Sequence, residues 1–88
     1  MHAVVVRAAL SDDDSASLQE LREQVVPRVS QAPGFVTGYW VRLEGERKGA
    51  SVIVFESEDN AREAAGQFQP PEGVTLESID VGEVVAHA

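Results

Sequence analysis

The stretch from Val25 to Leu43, Val-Val-Pro-Arg-Val-Ser-Gln-Ala-Pro-Gly-Phe-Val-Thr-Gly-Tyr-Trp-Val-Arg-Leu, constrains this chain more than any other. Its first part continues a run with apolar residues at helical spacing. Its second part, from Phe35, is aromatic and β-branched, the composition of a strand. Between them stands Ala32-Pro33-Gly34. Proline interrupts a helical hydrogen-bond ladder, and glycine takes backbone angles closed to other residues. A helix passed directly to an aromatic strand, with no linker, is one supersecondary unit, and the remaining elements must pack around it.

Leu18, Leu21, Val25 and Val29 recur at spacings of three and four and form one stripe, widened by Val26. Gln19, Glu20, Glu23 and Arg28 are assigned to the other side. The pattern predicts a first helix over Asp14 to Gln31. Ser11-Asp12-Asp13-Asp14 offers capping oxygens and negative charge at its start, and Ser17-Leu18-Gln19-Glu20 fits a capping box. Pro27 lies inside the pattern and lacks the N–H that would reach the Glu23 carbonyl. A kink or break is expected between Glu23 and Pro27.

The other elements follow from similar signals. His2 to Leu10, with Val4, Val5 and Val6, reads as a strand. Phe35 to Leu43 is the second strand. Glu44-Gly45-Glu46-Arg47-Lys48 is a polar hairpin connection, and Gly49 to Glu56 the third strand. Ser57-Glu58-Asp59 supplies an N-cap and two acids for a short helix over about Glu58 to Ala65, with Gly66 as its expected C′ residue. Pro70-Pro71-Glu72-Gly73 is a turn, and Val74 to about Ala86 a last strand, expected to bulge near Gly82. The order β-α-β-β-α-β is the ferredoxin-like α+β pattern. It predicts a four-stranded antiparallel sheet with two helices on one face, in a single domain over residues 1–88.

In that topology the first and third strands are central. Val4 and Val6 point one way, Ala3 and Val5 the other; Ile53 and Phe55 oppose Val52 and Val54. Both sheet faces are therefore apolar at the centre, but two helices cover only one. A domain of 88 residues buries a thin core, and with no cysteine it has no disulfide to reinforce it. A homodimer formed face to face is the expected solution. The net charge of -8, with 15 acidic residues against 7 basic, argues against nucleic acid and anionic membranes as partners. No apolar run approaches the ~20 residues of a membrane span. With no evident signal segment, the cytoplasm is the expected location.

Val-Val-Pro-Arg-Val, then Ala-Pro-Gly-Phe, then the Tyr39-Trp40 strand and Val-Ile-Val-Phe-Glu-Ser before an alanine-rich helix, resemble the antibiotic biosynthesis monooxygenase-like group of dimeric α+β barrels. The resemblance covers nearly the whole chain. It implies a homodimer with a cleft in each subunit between sheet and helices. It also implies a cofactor-independent monooxygenase acting on an aromatic or quinol-like small molecule, with no haem, flavin or metal. The alternative is a non-catalytic small-molecule-binding or structural homodimer of the same fold. The haem-degrading branch of the group carries a histidine on a helix; neither helix expected here contains one.

Tyr39 and Trp40 are adjacent on a strand and face opposite sides, so one is expected to line the cleft and the other to approach the partner sheet. Arg7, within the first strand, is a candidate to hold an enolate, phenolate or carboxylate; Arg42 reads rather as an edge or ion-paired residue. Phe55 and Phe68 complete the candidate substrate-binding set. Tyr39, Asp80 and Glu56 are the only candidates for a base, and none marks a catalytic residue. His2 and His87 come from neighbouring strands, but no third ligand accompanies them, so no metal site is expected.

Overall fold

The computed structural model of the chain describes residues 1–10, 18–43, 47–70 and 74–88. The caps expected at Ser11–Asp14 and Ser17, the centre of the 44–48 hairpin and most of the 70–73 turn lie outside these residues. The strands are β1 (His2–Leu10), β2 (Phe35–Arg42), β3 (Lys48–Phe55) and β4 (Val74–Glu83). They form one antiparallel sheet in the order β2-β3-β1-β4, which places β1 and β3 at the centre. Helix α1 occupies residues 18–30 of the described chain, and α2 is Glu58–Gln67. This is the ferredoxin-like α+β fold.

Both helices cover the same face. Val4, Val6, Ile53 and Phe55 are buried there against Ala61, whose exposure is 0%. Val29 and Ala32 from the end of α1, and Ala64, Ala65 and Phe68 from α2, pack around this centre. Val4 pairs with Ile53 on one side and Val81 on the other, so one apolar row crosses three strands. The opposite face is open. Its central row is Tyr39, Val52, Val5 and Asp80 in cross-strand register. The next row is Val41, Ala50, Arg7 and Ser78. Tyr39, Val41 and Val52 are 66%, 51% and 41% exposed.

Pro27 alters α1 without breaking it. Leu21–Val25 is a π turn in which the Val26 N–H donates to the Leu21 carbonyl, five residues back. Backbone angles stay helical at Val25 (φ -74, ψ -52) and Val26 (φ -60, ψ -47). Proline at the start of Val26–Ser30 leaves a gap in the α ladder, and the wide turn just before it shifts the ladder's register. The helix tightens again at its end, where Gln31 and Ala32 donate to the carbonyls of Arg28 and Val29.

The turn into β2 is built as its sequence requires. The Phe35 N–H donates to the Ala32 carbonyl at 3.2 Å, Pro33 follows Ala32, and Gly34 has φ 77. This is the residue pattern of a type II turn. The Gly34 carbonyl then accepts the Glu56 N–H at 2.8 Å, which ties the α1–β2 turn to the end of β3. At α2, Ser57 caps as expected: its hydroxyl accepts the Asn60 N–H at 3.1 Å and donates to Asn60 Oδ1 at 2.7 Å. The Asn60 amide lies directly against Gly34, where a Cβ would collide with it.

Two local expectations are corrected. Gly66 stays inside α2, which runs to Gln67 and ends in an extended Phe68 (φ -67, ψ 130). Gly82 pairs regularly with Ala3, and the irregularity of β4 falls instead opposite Arg7 and Ala8, which leaves Glu77 as the extra residue. A second bulge, at Val36, separates the Phe35–Phe55 pair from Thr37–Val54.

Gly34→Ala is expected to destabilise the fold by roughly 2 kcal/mol or more, since a non-glycine residue at positive φ costs ~1–2 kcal/mol before any collision. Urea denaturation measures the loss. Adding Asn60→Ala should recover part of the steric cost, since the Cβ at position 60 would still lie 3.0 Å away, and leave the backbone part.

Candidate functional site

The Val36 bulge decides which aromatic residue faces the helices. Phe35 lies on the helix-covered face, edge-to-face with Phe55 at a ring separation of 6.3 Å. Strict alternation from Phe35 would bring Tyr39 to the same side. One inserted residue reverses the parity. Trp40 therefore packs against the core on the helix side, and Tyr39 stands on the open face. Gly38 makes room for the indole: a Cβ there would lie 3.0 Å from Trp40 Cη2 and 3.6 Å from Phe35 Cε2. The Trp40 Nε1 is buried and has no hydrogen-bond partner.

A cleft of about 200 Å³ opens between the sheet and the facing ends of the two helices. Its floor is Val4, Ile53 and Phe55. Val25 and Val29 of α1, with Ala32 in the turn after it, form one wall, and Ala64 of α2, with Phe68 just past its end, forms the other. The polar groups at this cleft are Arg28, Gln31, Gln67 and Gln69. No carboxylate, imidazole, thiol or phenol belongs to its lining among the described residues. An apolar cavity of ~150 Å³ holds a benzene ring, so this cleft suits a molecule of one or two rings.

Of the residues expected to bind substrate, Phe55 and Phe68 meet in this cleft. Trp40 shares its side of the sheet but is not part of the lining. Tyr39 and Arg7 are on the opposite face, since alternation along β1 puts Arg7 out of phase with the buried Val4 and Val6. Arg28 was assigned to the outer side of α1, yet it lines the cleft. The signal was available: Arg28 lies three residues after Val25 and four before Ala32, both cleft residues.

The other charged contacts lie on exposed side chains. Lys48 Nζ is 3.6 Å from Glu77 Oε2. Arg62 reaches Glu58 Oε2 with Nη2 at 2.7 Å and Nε at 2.8 Å. That hydrogen bond and the charge of Arg62 hold the Glu58 carboxyl below its ordinary value. Among the described residues, no group of three or more His, Cys, Asp or Glu side chains is placed to hold a metal. His2 pairs with Glu83 at the end of β1, and His87 lies in the exposed segment after β4.

No protein-family model matches the chain, and no curated protein matches it in sequence. A solved structure does. A crystal structure of a mutant of MhuD, with two manganese protoporphyrin IX molecules bound per active site, aligns over 100% of this chain and 98% of its own. The TM-score is 0.65 and the identity 16%. The likeness is one of fold, and it is the fold expected from the resemblance to the antibiotic biosynthesis monooxygenase-like group. Chemistry does not travel with it. A porphyrin iron takes an axial bond from histidine, cysteine, methionine or tyrosine, and the described lining here has none of them. A cleft of about 200 Å³ also falls below the ~300 Å³ at which sites for drug-sized ligands begin, and a four-pyrrole macrocycle is at least that large. These residues do not fit a porphyrin. No described helix is long and apolar enough to cross a membrane.

Trp40→Phe removes an N–H that has no acceptor while keeping an aromatic ring over Gly38. The cost in stability is expected to stay below about 1 kcal/mol, because a buried unpaired donor is itself destabilising by ~1–3 kcal/mol. Trp40→Ala is expected to cost ~3 kcal/mol or more. Thermal or urea denaturation of the pair checks both.

Proposed function

We propose that the protein is a homodimeric, cofactor-independent monooxygenase acting on a small aromatic or quinol-like molecule held in the cleft between sheet and helices. The observation that carries the reading is the cleft itself: apolar, floored by Phe55, walled by Phe68, and sized for one or two rings. An electron-rich phenolate or enolate can pass electrons to dioxygen directly. The protein's part is to exclude water, orient the ring and keep the anion from unproductive reaction. For a naphthol-type substrate, one oxygen atom becomes the new quinone carbonyl. The other leaves as water with the two hydrogens lost from the ring system. The four electrons dioxygen takes up all come from the substrate.

One observation favours a second reading, a non-catalytic small-molecule-binding or structural homodimer: no described residue of the cleft is a carboxylate, imidazole, thiol or phenol that could take the substrate's proton. A catalyst built this way depends on a substrate that ionises on its own. Oxygen uptake separates the two. With a panel of naphthols and anthrones, consumption above the protein-free rate is expected. It should survive chelation and rise with pH as the substrate ionises. Phe68→Ala is expected to lower turnover about tenfold by loosening the ring's position. Absence of uptake, together with a raised melting temperature in the same panel, would establish the binding protein instead.

The dimer is proposed through the open sheet face, where the exposed Tyr39, Val41 and Val52 lie beside Val5 and Ala50. Such a face needs a cover, and a second copy presents a matching one. Sedimentation is expected to give twice the 9.5 kDa chain mass. Val52→Lys, at a 41% exposed position, should give a folded monomer. A wild-type monomer at micromolar concentration would rule out the pairing.

A further inference from the structure

We infer that the cleft selects small aromatic acids, with the ligand's anionic oxygens at the Arg28 guanidinium and its rings against Phe55 and Phe68. The inference deepens the reading of the cleft as a ligand site and rests on it. The chain carries 15 acidic residues against 7 basic. Against that excess, the cleft lining contains one arginine and, among the described residues, no carboxylate. Its remaining polar groups, Gln31, Gln67 and Gln69, are neutral amides that donate hydrogen bonds without repelling an anion.

Arg28 is also left without the partner that a helix usually supplies. Its neighbours three and four residues away are Gln24, Val25, Gln31 and Ala32, none of them acidic. Arg62 on α2 has Glu58 four residues before it and holds it at 2.7 Å, and Lys48 lies 3.6 Å from Glu77 across the sheet. Arg28 makes no such ion pair among the described residues. A guanidinium with planar, forked donors at the edge of an apolar cleft matches a carboxylate or phenolate whose ring fills that cleft. The same cation in the last turn of a helix favours the helix dipole. That contribution exists with or without ligand and does not discriminate between an acid and its neutral isostere.

Calorimetric titration of the full chain with 1-naphthoate and with 1-naphthamide, in 0.15 M salt, tests the inference. The acid is expected to bind about five- to tenfold more tightly, the range for a charge-assisted contact at a solvent-exposed rim. Arg28→Gln should erase the preference, lowering naphthoate affinity about five- to tenfold more than naphthamide affinity. Arg28→Lys should restore part of it, and high salt should shrink it. Equal affinities in the wild type, or a preference that survives Arg28→Gln, would overturn the role of Arg28 and leave the cleft as a ligand site. If neither compound binds, or if Ala64→Leu, which narrows the cleft, leaves binding of both unchanged, then the cleft reading falls and this inference with it.

Discussion

The fold depends on how closely α2 approaches the sheet. Its contact residue is Ala61, with no exposed surface, set against Val4, Val6, Ile53 and Phe55. A methyl group lets helix backbone and sheet come close enough to exclude water from all four. At ~25 cal/mol per Å² of apolar surface removed from water, burial of these four side chains is a main source of stability in a chain with so thin a core. A larger residue at this position would lift α2 and open the row from the middle. The N-terminal end of α2 is fixed separately by Ser57 and by Asn60 beneath Gly34, so the helix is held at its cap and at its centre. Its far end, at Phe68, is where the cleft forms.

Much of this was legible in the sequence because several local signals agreed. Pro33-Gly34 gave the turn, Ser57 the cap, and the two-faced strands the central places of β1 and β3. The disagreements share a physical origin. Bulges were sought at a glycine, Gly82, but strand irregularities here occur at Val36 and Glu77, where side-chain type gives no warning. A bulge is settled by twist and pairing across the whole sheet. Its effect is not small: the Val36 bulge exchanges the roles of Tyr39 and Trp40. Alternation revealed that the two oppose each other, while which one faces the helices was fixed by a residue four positions upstream. Arg28 escapes for a different reason: the apolar stripe alone sets the inward side of α1, and Arg28 is not part of that stripe.

The two sheet faces divide the chain's apolar surface between two tasks. The helix-covered face builds the core and leaves a gap between the ends of α1 and α2. The other face carries Tyr39, Val41 and Val52 in the open, with Arg7 and Asp80 on neighbouring rows. The likeness to MhuD extends over this whole frame at 16% identity. The frame is therefore shared by chains whose sequences differ at most positions, which is why fold alone does not assign chemistry.

The π turn at Leu21–Val25 bears on how this architecture accommodates changes in chain length. A π turn carries about one residue more than the α turn it replaces. Loss of a residue there can be absorbed by tightening the ladder to α, with Val25, Arg28 and Ala32 kept in place over the cleft. A single deletion in β3 has no such reserve, because every following side chain would pass to the opposite face. The first helix is thus a place where this chain can shorten by a residue and still present the same cleft.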